Sequence, residues 1–176
     1  FSVNGGTKKL NYYASFNYLD QGGFMNLGEE GLSRYNGTAK IGSELTKWLK
    51  FDYTMRFTRE DYKRPTTMTN SLYSDMARQG WPVLPLYDPN GYYFYAPSPI
   101  LGLAEGGTGK IQTDNMYHQV SFTFEPVKDW ITHVDFNYRI KSANNYWDKQ
   151  VLYNHDVEGN AYACDKYSNV HEDYYK

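Results

Sequence analysis

From Trp48 to Arg59 the chain alternates. Leu49, Phe51, Tyr53, Met55 and Phe57 are apolar or aromatic, and Lys50, Asp52, Thr54, Arg56 and Thr58 between them are polar or charged. A period of two predicts a β-strand with one apolar and one wet face. Its length of about ten residues exceeds the usual soluble strand and matches a strand that crosses a bilayer. The pattern recurs. Tyr12, Ala14, Phe16 and Tyr18 alternate with Tyr13, Ser15, Asn17 and Leu19. Tyr35, Gly37, Ala39, Ile41, Ser43 and Leu45 alternate with Arg34, Asn36, Thr38, Lys40 and Glu44. Further on, Met116, His118, Val120, Phe122 and Phe124 form one face of a strand. Trp130, Thr132, Val134, Phe136, Tyr138 and Ile140 form one face of another. The reading is five strands, at about 10–20, 33–45, 48–59, 116–125 and 130–143, with a strand tail at Phe1 to Asn4 before a Gly5-Gly6 turn.

The links between these strands are unequal. Thr46-Lys47 and Pro126 to Asp129 are tight and force antiparallel neighbours. Each adjoins a tryptophan, Trp48 or Trp130. The stretch of about 60–114 is too long for an ordinary loop and is read as functional. Within it, residues 69–80 hold a short helix closed by Gly80. Pro82, Pro85, Pro89, Pro97 and Pro99 exclude longer regular structure, and Asp88-Pro89-Asn90-Gly91 marks a turn. Residues 151–156 read as a weak strand, Gly159 as a turn, and the tail beyond Ala161 stays unassigned. Short turns on one side, long loops on the other and aromatics at the boundary are the habits of an outer-membrane barrel. The expected fold class is therefore all-β, antiparallel amphipathic strands forming part of a transmembrane β-barrel with long extracellular loops.

Composition changes this picture little. A mean hydropathy of -0.75 looks soluble, yet a barrel strand needs apolar residues only at alternate positions. No apolar run approaches the length of a transmembrane helix. The net charge of -2 leaves no basic footprint for nucleic acid. Nineteen tyrosines suit interfacial girdles or contact surfaces. A lone Cys164 excludes an internal disulfide. The start at Phe1, without a Met or leader, points to a piece cut from a longer precursor or to a mature segment.

Candidate chemistry follows from the faces. The wet faces place Lys50, Asp52, Arg56, Asp135 and Arg139, with Lys40, Glu44 and Lys141, toward a lumen. Trp48 and Trp130 are the membrane-interface aromatics, with Trp48 at the periplasmic rim and Arg59 toward the cell surface. The Pro-stiffened loop carries Trp81, Tyr87, Tyr92, Tyr93 and Tyr95, large rings with polar tips that suit substrate or partner contact. His118, His133, His155 and His171 lack metal-ligand spacing, so no metal or other cofactor is expected. Gly106-Gly107-Thr108-Gly109-Lys110 lacks the flanking residues of a phosphate loop and reads as a flexible loop. No catalytic constellation is present, and enzymatic activity is not expected.

The motifs resemble those of a known family. Gly5-Gly6-Thr7, Tyr12-Tyr13-Ala14-Ser15, Tyr18-Leu19-Asp20, Arg34-Tyr35-Asn36 and Trp48-Leu49-Lys50 occur in the order and spacing of the SusC/RagA-like TonB-linked outer-membrane proteins. Pro85-Leu86-Tyr87-Asp88 with Asn90-Gly91-Tyr92 fits the same family, and the likeness covers roughly residues 1–140. The resemblance implies a plugged barrel of about 22 strands energised by TonB. It also implies a SusD-like surface lipoprotein as lid and import of glycans or peptides across the bacterial outer membrane, with lipid around the wall. The chain holds no plug and no TonB-box region, so it would be a wall segment. The alternatives are a soluble all-β glycan-binding module and an adhesin-type surface barrel without transport.

Overall fold

The computed structural model describes residues 1–79, 83, 85–95, 99–164 and 170–175, the last group and residue 79 by backbone alone. Six strands follow one another as an antiparallel meander: β1 Ser2–Gly6, β2 Leu10–Gly22, β3 Gly31–Thr46, β4 Leu49–Pro65, β5 Gly107–Val127 and β6 Trp130–Lys149. A further strand, β9 Val170–Tyr175, lies beside β6. The sheet is open, with β1 and β9 as its edges, and does not close into a barrel. Between β4 and β5 lie two helices, α1 Leu72–Gln79 and α2 Ile100–Glu105. Between β6 and β9, β7 Tyr153–His155 and β8 Ala161–Ala163 pair as a separate hairpin.

The chain divides into two compact units. The first comprises Phe1–Asp20, Ser33–Asp61 and Gln112–Ala143 and carries the three tight turns, at residues 7–9, 47–48 and 128–129. The second comprises Gln21–Leu32, Tyr62–Ile111 and Asn144–Lys176 and carries the long connections. The buried leucines of the described residues, Leu72, Leu101, Leu103 and Leu152, all lie in the second unit. Pro99 sits at the N-cap of α2, which buries Leu101 and Leu103. In the first unit no apolar side chain is buried, and Phe136 is 61% exposed.

Several expectations change. The strands are longer than the hydrophobic alternation indicates: β4 continues to Pro65, β5 starts at Gly107 and β6 runs to Lys149. In these extensions both faces are polar, as in Glu60-Asp61-Tyr62-Lys63-Arg64, so the ladder continues while the period-2 signal disappears. The glycine-rich segment 107–110, read as a flexible loop, opens β5. Gly5 and Gly6 belong to β1, and the turn is Thr7 to Lys9. Trp48 sits in the β3–β4 turn itself. The β5–β6 turn is Lys128-Asp129, with Asp129 at φ 69°, which Asp tolerates better than most residues. α2, missed among the prolines, begins directly after Pro99. The expected Gly80 helix stop falls outside the described residues.

Candidate functional site

In the first unit, cross-strand contacts sort the side chains onto two faces. On one face the tilted rings of Tyr18 and Tyr35 meet at 5.0 Å, those of Phe51 and Phe122 at 5.4 Å, and the Tyr53 hydroxyl pairs with His118 Nδ1 at 2.8 Å. His118 lies mid-strand in β5, its polar tip held by Tyr53. The face is apolar from Leu49 to Phe57 along β4, roughly 27 Å at about 3.3 Å per residue. It then ends abruptly in a polar belt. Arg59 donates to both carboxylate oxygens of Asp114 at 2.7 and 2.8 Å, Gln112 donates to Asp61 at 2.8 Å, and Ser33 donates to Asp20 at 2.9 Å. The fork geometry makes Arg59–Asp114 a bidentate pair, the stronger kind.

The opposite face is mostly polar, with Leu19 and Ile131 among its apolar exceptions. Asn36 accepts from Thr58, Arg34 pairs with Glu60 at 2.8 Å, and Lys50 pairs with Glu44 at 3.2 Å. Ser121 donates to Asp135, Tyr117 donates to Asn137, and Thr123 meets His133 at 3.0 Å. Lys50, Asp52, Arg56, Asp135 and Arg139 thus share one face. Asp52 leans over Gly42, where an added Cβ would lie 2.5 Å from its Oδ1. With Asn4, Asn11, Tyr13 and Lys40 it lines a concavity of about 370 Å³. Trp48 lies within the β3–β4 turn and Trp130 directly after the β5–β6 turn, where it is 64% exposed.

In the second unit the aromatic loop folds into a small hairpin of its own. Asp88 N–H donates to Tyr92 O, Phe94 N–H donates to Leu86 O, and Tyr87 and Tyr93 form a single bridge. Tyr87 and Tyr93 stack at 5.1 Å, while Tyr92 stacks on His155 of β7 at 4.2 Å. The hydrogen bond from its neighbour Tyr87 holds the Tyr93 phenol above its ordinary pKa. The Asp88 side chain is 1% exposed; its Oδ1 accepts the backbone N–H groups of Asn90 and Tyr92 at 2.9 Å. Its Oδ2 faces His155 Nδ1 at 3.3 Å without an aligned hydrogen bond. Asn154 clamps Tyr95 from both sides: it accepts from Tyr95 N–H at 2.8 Å and donates to Tyr95 O at 3.1 Å. Asn90 donates to the Asp156 carbonyl at 2.9 Å. Four of the five predicted loop aromatics, Tyr87, Tyr92, Tyr93 and Tyr95, are therefore brought together. Trp81 lies outside the described residues.

The residues that seat this loop, Asn154, His155 and Asp156, carry no role in the sequence reading. A signal for them exists. Asp156-Val157-Glu158-Gly159 repeats the turn grammar of Asp88-Pro89-Asn90-Gly91. In both turns Gly N–H donates to the Asp carbonyl at 3.0 Å, and Gly91 and Gly159 take φ near +90°, open to glycine. Asn160 donates to both Asp156 oxygens, from its backbone at 2.8 Å and its amide at 3.0 Å. These bonds, the side-chain one foremost, hold the Asp156 carboxyl below its ordinary pKa. A lowered folded-state pKa means that the turn's stabilisation is complete above the ordinary carboxylate value and is lost as pH falls through the lowered one. The Asn160 amide resonance is accordingly expected to titrate below the usual Asp midpoint of about 3.9, and Asn160→Ala to bring the Asp156 midpoint back toward it. An unchanged midpoint in the variant would refute that account.

Among the described residues, no group of three or more His, Cys, Asp or Glu side chains could hold a metal ion, and no helix is long and apolar enough to cross a membrane. No family model matches the chain, and no curated protein is significantly similar to it.

Proposed function

We propose that the chain is a wall segment of an outer-membrane β-barrel transporter of the SusC/RagA-like kind, taking up glycans or peptides with a SusD-like lid and TonB-derived energy. One observation carries the membrane part of this reading: among the described residues, the apolar face of the first unit has no cover. None of Leu49, Phe51, Tyr53, Met55 and Phe57 is buried. A soluble sandwich must bury that face against a second sheet. Lipid covers it without one. Tilted by 35–45°, the apolar span from Leu49 to Phe57 covers about 20 Å of membrane normal, close to the band of about 25 Å in such barrels. The Arg59–Asp114 belt then falls at the headgroup level. The polar face becomes the lumenal side, and the seated aromatic hairpin at Tyr87 and Tyr93 becomes the surface that meets substrate or lid. The carbohydrate or peptide part of the reading rests on those rings and on the motif resemblance.

The membrane part is tested by depth-resolved quenching. In a Cys164→Ser background, single cysteines at Phe136 and Asn137 carry a fluorophore, and the chain is reconstituted in lipid vesicles. A lipid-borne quencher is expected to reach position 136 and spare 137, with the reverse for an aqueous quencher. Equal aqueous quenching at both sites would remove the membrane assignment and leave the soluble all-β binding module as the better account.

A further inference from the structure

The charges on the polar face of the first unit are not all neutralised in the same way. Arg34 has Glu60, and Lys50 has Glu44. Arg56 and Arg139 have no carboxylate partner among the described residues. The Arg56 guanidinium instead lies 5.8 Å from the centre of the Tyr117 ring. Tyr117 is itself held by its hydroxyl on Asn137. Arg139 donates from Nη2 to Asn115 Oδ1 at 3.1 Å. Ring and amide contacts orient a guanidinium and leave its charge intact. Three carboxylates on the same face are engaged elsewhere: Asp135 accepts from Ser121, and Glu60 and Glu44 have their own cations. Lys40, lying 5.9 Å from the centre of the Tyr13 ring, adds a further positive charge on the neighbouring strand.

We propose that Arg56 and Arg139 form an anion-binding strip on this face, suited to a ligand that presents carboxylates about 10 Å apart. The spacing follows from topology. Arg56 lies on β4 and Arg139 on β6, two strands apart at about 4.8 Å per strand, with Tyr117 of β5 between them. Each guanidinium offers a planar pair of N–H donors that matches a carboxylate. Asn115, Tyr117 and Asn137 hold the two forks in place before the ligand arrives, which lowers the ordering cost of binding. Acidic side chains of a peptide and uronic acids of a saccharide share this chemistry. The inference rests on the transport reading only in assigning the strip to a lumen; the binding itself depends on the two arginines.

The test uses the full chain folded in detergent micelles and measures binding of hexaglutamate, hexagalacturonate and neutral maltohexaose at low salt. At least one acidic oligomer is expected to bind more tightly than maltohexaose, to weaken as salt is added, and to lose at least about tenfold in affinity in the Arg56→Gln/Arg139→Gln double variant. Which acid wins identifies the source of the carboxylates. Arg34→Gln, whose cation is already paired, is expected to leave the affinity within a factor of about two and so reports whether any loss is a general charge effect. Unchanged affinity in the double variant, or acidic oligomers no tighter than maltohexaose, would overturn the proposal. Vesicle partitioning of the same double variant, expected to match the parent chain, keeps a failure of the membrane reading distinguishable from a failure of the strip.

Discussion

Val120→Arg is expected to destabilise the chain folded in a lipid bilayer by about 2–4 kcal/mol, the cost of a cation on the lipid face near the membrane midplane. Val120 sits midway along the apolar run from Met116 to Phe124 of β5, on the face that carries His118 and Phe122 and their partners Tyr53 and Phe51. The preceding residue, Gln119, points the other way. Gln119→Arg is expected to stay within about 0.5 kcal/mol, as for an ordinary wet-face substitution. The pair separates three situations. In a bilayer wall the two variants differ by several kcal/mol, and the difference vanishes if the chain is instead unfolded from water. In a soluble sandwich Val120→Arg is costly in water as well, because it buries an unpaired charge between sheets. In a sheet that lies bare in water both variants are nearly neutral. Urea titrations in lipid and in aqueous buffer, followed by tryptophan fluorescence, distinguish these outcomes.

What made the meander legible was the combination of period-2 alternation with tight turns, and both are local. Leu49 to Phe57 can be recognised from a dozen residues because one face is apolar and the other is not. The same logic explains where legibility ended. From Glu60 to Pro65 and from Gly107 to Asn115, Ile111 apart, both faces of the strand are largely polar, so the hydrogen-bonded ladder leaves no period-2 hydrophobic trace. Closure of the sheet was not legible either: amphipathic strands with unequal loops are common to a closed barrel and to the open sheet observed.

The aromatic loop was legible as a surface but not as a structure. Tyr87, Tyr92, Tyr93 and Tyr95 stand out by composition, and Asp88-Pro89-Asn90-Gly91 by its turn chemistry. What positions them lies about sixty residues downstream, in Asn154, His155 and Asp156. No local pattern encodes a contact at that separation. The repeated Asp-x-x-Gly turn was the available clue, since two turns of one type, each exposing polar groups at its tip, can bond across as Asn90 does to Asp156. The polar strip at Arg56 and Arg139 was legible only as a pair of wet-face charges; that they lack carboxylate partners among the described residues, while Arg34 and Lys50 have them, emerges only from the register.

Gly107→Ala is expected to be among the most damaging small substitutions in the chain, although the glycine-rich segment around it reads as a tolerant loop. Two independent penalties meet at this residue. Gly107 has φ +89°, a conformation that costs a non-glycine residue of order 1–3 kcal/mol. An added Cβ would also fall 1.9 Å from the Asp148 carbonyl oxygen and 3.0 Å from its carbonyl carbon. Those atoms are backbone and cannot rotate away, so β5 and β6 must separate where they meet. Thr66 N–H donates to the Gly107 carbonyl at 3.0 Å, and Gln150 N–H donates to the Gly106 carbonyl at 3.2 Å, so the displacement strains the strand ends on both sides. Gly91 supplies the control. It has nearly the same φ, +90°, with nothing within 4 Å of an added Cβ, so Gly91→Ala bears the dihedral penalty alone. The expected order of stability is parent, then Gly91→Ala lower by about 1 kcal/mol, then Gly107→Ala lower by more than about 3 kcal/mol. Denaturant midpoints of the three chains under identical detergent conditions give the comparison. Equal losses in the two variants would mean that the strand ends at Gly107 and Asp148 are loose enough to part without cost.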